Sequence, residues 1–92
     1  MANLGKIFRA MADPTRRRIL ELLGGGDRAA GEIAEHFAMT KPAISHHLSV
    51  LKDAGLAAER RAGQRVIYSL EPGTIAGAWN VFMSKLCSKK GN

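Results

Sequence analysis

A serine pair, two adjacent histidines and two lysines crowd one short run, TKPAISHHLSVLKDAG (residues 40–55). Such side chains could act as nucleophile and base, hold a metal, or pair with a polyanion by charge and hydrogen bonds. Covalent catalysis needs a nucleophile within reach of a base that a third group orients. Ser45 and His46 are neighbours in sequence, so on a helix they diverge by about 100°, and no acid stands ready to orient the histidine. The glycine run GGGD (residues 24–27) lacks the lysine of a phosphate-binding loop. Zinc wants four ligands. Cys87 is the single cysteine, His36 lies in another segment, and His46 and His47 point apart. The pattern therefore predicts no catalytic residue, no metal site and no cofactor. Recognition is the chemistry that remains.

The run carries helix punctuation. Thr40 can cap the N-terminus, Pro42 falls within the first turn where its missing N–H costs little, and Gly55 is a natural left-handed stop. Ile44, Leu48 and Leu51 share one side and are expected in the core. Pro42, Ser45, His46 and Ser49 fall opposite, with Lys41 and Lys52 at the margin and no carboxylate before Asp53. Short polar side chains let a helix sit deep in a major groove, where serine and histidine can reach base edges or phosphates. His47 lies nearer the apolar edge, which favours a half-buried structural residue over the alternative, a base contact.

The theme repeats in ERRAGQRV, where Arg60, Arg61, Gln64 and Arg65 surround a turn. A basic ribbon of that kind can follow a duplex backbone or enter a minor groove. In PTRRR, three arginines start a helix, where cations oppose the dipole. Phosphate contact, assigned to Arg17, would account for that cost. The whole chain agrees: net charge is +6 and the sequence pI about 10.1, which attracts polyanions.

Ninety-two residues are expected to form one domain, residues 1–92. No apolar run approaches the roughly 20 residues needed to span a bilayer, no secretion signal is evident, and one cysteine fits a reducing cytosol. Helical spacing of Leu4, Ile7, Phe8 and Met11 predicts a first helix. Asp13 and Pro14 open a second, with Ile19, Leu20 and Leu23 inward and three glycines to end it. AAGEIAEHFAM predicts a third, with Ala30, Ile33, Ala34 and Phe37 inward; Gly31 weakens its first turn. After Gly55 the period changes, and residues 56–70 read as a β-hairpin turning at Ala62-Gly63. Ile75, Trp79, Phe82, Met83 and Leu86 line one face of a last helix, followed by a frayed basic tail, SKKGN.

The expected architecture is mainly α with a small β-hairpin: four helices, two strands, a fifth helix. Helices three and four, within residues 30–55, have helix-turn-helix spacing, and the following hairpin makes the fold a winged helix. The apolar stripes of the first helix (residues 3–12) and the last (74–87) exceed what so small a domain can cover, which predicts a homodimer. Its interface would comprise Leu4, Ile7, Phe8, Met11, Ile75, Trp79, Phe82, Met83 and Leu86. Twofold symmetry would then set two recognition helices roughly 34 Å apart, one turn of DNA.

ADPTRRRILELL, GEIAEHFAMTKPAISHHLSVLKDAGL and ERRAGQRVIYSL together resemble the ArsR/SmtB family of bacterial winged-helix repressors, over about residues 8–70. The resemblance implies a cytoplasmic, nucleoid-associated homodimer joined by its first and last helices on an inverted-repeat operator in double-stranded DNA. It also implies that residues 41–49 read the major groove and residues 60–65 form the wing. Many members of that family bind metals through a cysteine pair on the third helix, or through Asp, His and Glu on the last. Here the third helix has no cysteine, and none of those three residues follows Glu71. The chain is most similar to an autorepressor subgroup encoded beside a membrane-associated protein, which implies release by sequestration at a membrane protein. Three rivals stand beside this reading: a thiol-redox repressor using Cys87, a metal or metalloid sensor with a non-standard site, and a DNA-binding module without sequence preference.

Overall fold

The structure, a computed structural model, describes residues 3–87. The tail from Ser88 onward lies outside them. The elements run α1 (Leu4–Met11), α2 (Pro14–Gly24), β1 (Arg28–Ala29), α3 (Ala30–Ala34), α4 (Lys41–Asp53), β2 (Ala57–Ala62), β3 (Arg65–Leu70) and α5 (Pro72–Cys87).

Local chemistry sets most of the helix boundaries. The Asn3 side chain accepts from the Lys6 N–H, and Asp13 accepts from the Arg16 N–H at 3.0 Å, with Pro14 at the first helical position of α2. Thr40 Oγ1 accepts from the Ala43 N–H at 3.2 Å and starts α4. At the other end the Gly55 N–H donates to the Lys52 carbonyl and the Leu56 N–H to the Leu51 carbonyl, both at 2.9 Å. With Gly55 at φ +77°, this is a Schellman ending. Leu51 and Leu56, the apolar pair such an ending brings together, are both fully buried. The same turn delivers the chain into β2.

Two elements differ from expectation. α3 stops at Ala34 instead of running on to Met39, because the His36 and Phe37 N–H groups bond three residues back, to Ile33 and Ala34, rather than four. That tightened turn replaces the last helical turn while Phe37 still packs on the core. β1 adds a third strand, so the sheet order is β1-β3-β2, all antiparallel. Arg28 lies opposite Tyr68 and Ala29 opposite Ile67. In the β2–β3 hairpin Ala62 pairs with Arg65 across a two-residue turn, and Gly63 takes φ +67°.

The core gathers Ile7, Ala10, Ile19, Leu20, Leu23, Ile33, Ile44, Leu48, Leu51, Leu56, Ala57 and Ala78. No polar or charged residue is buried among the described residues. Each fully buried Leu or Ile stabilises by about 1.5–3 kcal/mol relative to exposure. Ile7 is a correction: expected on a dimer face, it is 1% exposed. The inward side of α1 is centred on Ile7 and Ala10, which turns Phe8 outward. α5 is the opposite case: of its 16 residues only Ala78 is buried.

Candidate nucleic-acid interface

The packing of α4 divides its residues. Ile44, Leu48 and Leu51 are at most 2% exposed and anchor the helix. Thr40, Lys41, Pro42, Ser45, His46, Ser49 and Lys52 all lie exposed. His46 sits at one edge of that face, over a hollow of about 360 Å3 shared with Lys6 and Arg9 of α1 and with Asp53. Lys6 and Arg9 were not singled out in the sequence; α1 is apolar enough to mask them, and only its crossing with α4 brings them beside His46.

His47 is half-buried, and its Nδ1 lies 3.2 Å from Arg16 Nη1. A guanidinium can only donate. Nδ1 therefore accepts, and the neutral ring carries its proton on Nε2. The same guanidinium donates from Nε to the Ala10 carbonyl at 2.8 Å and from Nη2 to the Arg9 carbonyl at 3.1 Å. Arg17 Nη1 donates to the Met11 carbonyl at 2.8 Å. Two of the three arginines that oppose the α2 dipole are thus turned back onto the C-terminal carbonyls of α1, where a cation is favourable. Arg17, expected on a phosphate, is exposed and bonded to this junction. Between the two helices, the Arg16 backbone N–H holds the Asp13 carboxyl below its ordinary value, with burial opposing it and the Arg16 charge adding to the effect.

The hairpin carries its cations beside carboxylates. Arg60 Nη1 donates to Asp27 Oδ2 at 2.9 Å, Arg65 Nη2 lies 3.5 Å from Glu32 Oε1, and Lys52 Nζ lies 3.5 Å from Glu59 Oε1. The last pair ties α4 to the hairpin. All six side chains are exposed, so each pair contributes about 0–1 kcal/mol. Arg61 and Gln64 are also exposed. Asp27, Glu32 and Glu59 were not foreseen as partners. Glu32 had a local signal: it sits three residues after the residue preceding α3, and its Oε1 accepts from the Ala29 N–H at 2.8 Å. Burial, and then Glu59, push the Tyr68 hydroxyl above its ordinary range.

The expected dimer residues do not form one uniform surface. Leu4, Met11 and Ile75 are half-buried against the core of their own chain. Phe8, Trp79 and Leu86 are 42%, 58% and 53% exposed. Phe82 and Met83 are half-buried. Phe82 bridges the two helices, edge-on to Phe8 at 5.5 Å between ring centres and 6.1 Å from Trp79. Val81, absent from the sequence expectation, is also an exposed large apolar residue, at 47%. Among the described residues no group of three or more His, Cys, Asp or Glu could hold a metal ion, and no helix is long and apolar enough to cross a membrane.

Comparison with known proteins places this geometry. Residues 13–59 match the family described as "Bacterial regulatory protein, arsR family". The transcriptional repressor SdpR of Bacillus subtilis (strain 168) is 49% identical over 77 residues, covering 84% of this chain and 86% of that one. The arsenical resistance operon repressor of Staphylococcus xylosus is 37% identical over 68 residues, covering 74% of this chain and 65% of that one. Among solved structures, the homodimeric winged helix-turn-helix DNA-binding domain from Mycobacterium bovis superimposes with a TM-score of 0.72 at 28% identity, over 96% of this chain and 81% of that one. With the winged helix-turn-helix and this relatedness together, the chain belongs to the arsR family of bacterial DNA-binding transcriptional regulators, a family of regulators and not of enzymes.

Proposed function

We propose that this regulator is a repressor that binds an inverted-repeat operator as a homodimer, with α4 in the major groove and the β2–β3 wing along the backbone or in the minor groove. The observation that carries this reading is the clean division of α4: every apolar anchor is buried, while Lys41, Pro42, Ser45, His46, Ser49 and Lys52 are exposed together. Ser45 and Ser49 contact base edges. Thr40 and Lys41 lie at the helix N-terminus, where backbone N–H groups favour a phosphate. Arg60, Arg61, Gln64 and Arg65 grip the backbone, and Arg17 contributes a phosphate contact only by leaving the Met11 carbonyl. The name of the Bacillus subtilis relative supports repression, and the homodimeric Mycobacterium bovis domain supports pairing; the exposed Phe8, Trp79 and Leu86 favour α1 and α5 for it.

A release signal other than a metal fits the residues better, since the third helix has no cysteine pair and α5 no Asp, His or Glu. Sequestration at a membrane protein is the release route we favour, on the resemblance to the autorepressor subgroup. The chain would then act in the cytoplasm at the nucleoid. Selection of bound duplexes from random DNA, with and without zinc and a thiol oxidant, tests the reading. It should return one inverted repeat with half-sites about one helical turn apart under every condition. Equal binding to all sequences would sink the assignment of α4, and a zinc- or oxidant-dependent motif would sink the release route.

A further inference from the structure

Arg16 does more than end a helix. Its planar guanidinium spans three acceptors on two other helices: the Arg9 and Ala10 carbonyls of α1 and His47 Nδ1 of α4. Its own backbone N–H is held by Asp13 at the start of α2. A rigid fork that bonds to several fixed partners transmits orientation in a way that a flexible ammonium cannot. The two carbonyls directly follow Phe8, the residue of α1 that faces outward and meets Phe82 of α5. His47 lies between His46 and Leu48, at the border between the exposed and buried sides of α4.

We infer that Arg16, acting through His47, is a positioning residue that fixes the angle between α1 and α4 and thereby the half-site spacing the dimer accepts. This rests on the proposed reading of α4 as the recognition helix and of α1 as part of the dimer interface. The arrangement makes spacing a separate property from affinity for one half-site. Adding one base pair between half-sites moves the second by about 3.4 Å and turns it by about 35°. A dimer with a locked α1–α4 angle cannot follow that change, whereas one with a loosened angle can.

The test measures affinity of the full chain for three duplexes: the selected inverted repeat, the same repeat with one base pair added or removed, and a single half-site. The wild-type chain is expected to lose about tenfold or more on the altered spacing. His47→Leu keeps the apolar packing and removes the acceptor. It should lose under about threefold on altered spacing and bind the half-site within about twofold of wild type. His47→Gln, which restores an acceptor, should recover the spacing penalty. Arg16→Lys keeps the charge but reaches fewer acceptors, and should behave as His47→Leu does. If His47→Leu does not fold, Arg16→Lys and His47→Gln decide the matter by the same ratios. A wild-type spacing penalty in His47→Leu or Arg16→Lys overturns the inference, as does an equal loss on half-site and full operator, which would mark a direct DNA contact. A wild-type chain that selects its half-site yet shows no spacing preference overturns the inference and leaves the reading of α4 standing; equal binding to all sequences sinks that reading first.

Discussion

Trp79 gives the sharpest test of the proposed dimer. It is 58% exposed on α5, one turn from Phe82 and Met83. An aromatic side chain carries about 150–250 Å2, so roughly 90–150 Å2 of Trp79 meets water in a lone protomer. At ~25 cal/mol per Å2, covering that surface contributes about 2–4 kcal/mol per protomer. A twofold interface uses the residue twice, which doubles the figure as an upper bound. Partial coverage, and the surface that alanine retains, bring the expected loss back to about 2–4 kcal/mol for the dimer, or a rise of roughly 30- to 800-fold in dimer Kd. Alanine is the better helix former, so Trp79→Ala leaves α5 helical. Losing the Phe82 contact costs the protomer itself only about 0.5–1.5 kcal/mol. Sedimentation equilibrium gives the Kd, and the concentration dependence of Tm gives an independent check. A Trp79→Ala chain that keeps its helicity and a dimer Kd within about threefold of wild type would refute pairing through this face.

Other substitutions probe the DNA face and the fold beneath it. Ser45→Ala should relax preference at one operator position, costing about 1–3 kcal/mol on the selected site and little on random DNA. Arg61→Ala should weaken all sequences alike and lower the slope of log affinity against log salt by about one; salt titrations on both duplexes separate the two behaviours. Thr40→Ala removes the cap of α4 and should destabilise by about 1 kcal/mol, lowering Tm by about 4–8 °C, while Thr40→Ser should hold it. The carboxyl of Asp13 is held below its ordinary 3.8 chiefly by the Arg16 N–H, so its stabilising contribution is complete above that value and is lost as pH falls through the lower folded value. Asp13→Asn should therefore flatten the acid side of the urea-midpoint profile below about pH 4; an unchanged profile would remove Asp13 from the acid response.

Part of the charge that suggested a polyanion partner is paired within the chain. Lys52, Arg60 and Arg65 each have a carboxylate within 3.5 Å. Exposed pairs of this kind are weak and screened by salt. Phosphate can displace Glu59, Asp27 or Glu32 at small cost, but the displaced carboxylate stays nearby and repels the phosphate. On the proposed reading, the pairs therefore lower affinity for any backbone and leave more of the discrimination to the α4 face. They also hold extended side chains in place before DNA arrives, which reduces the ordering cost on binding.

Legibility followed the range of the interaction that decided each feature. The two faces of α4, its cap and its glycine stop depend on residues within a few positions of one another, so the sequence reveals them. β1 has two residues and no period to read. The end of α3 depends on hydrogen bonds shifting from four residues back to three, which composition does not announce. Ile7 and Phe8 belong to one apolar stripe, and which of them the core takes is decided by where α2 and α4 cross α1. The arginines at residues 16–18 show the limit most clearly. A cation at a helix N-terminus is a conflict visible in the sequence, and it does signal that an acceptor is near. The signal does not say which acceptor. A phosphate would satisfy it, yet the nearest acceptors in the chain are the last carbonyls of the helix just before, and Arg16 and Arg17 take those. Only the sharp turn at Ala12 and Asp13 brings them within reach, and that turn places the Arg16 guanidinium against His47 on α4 as well.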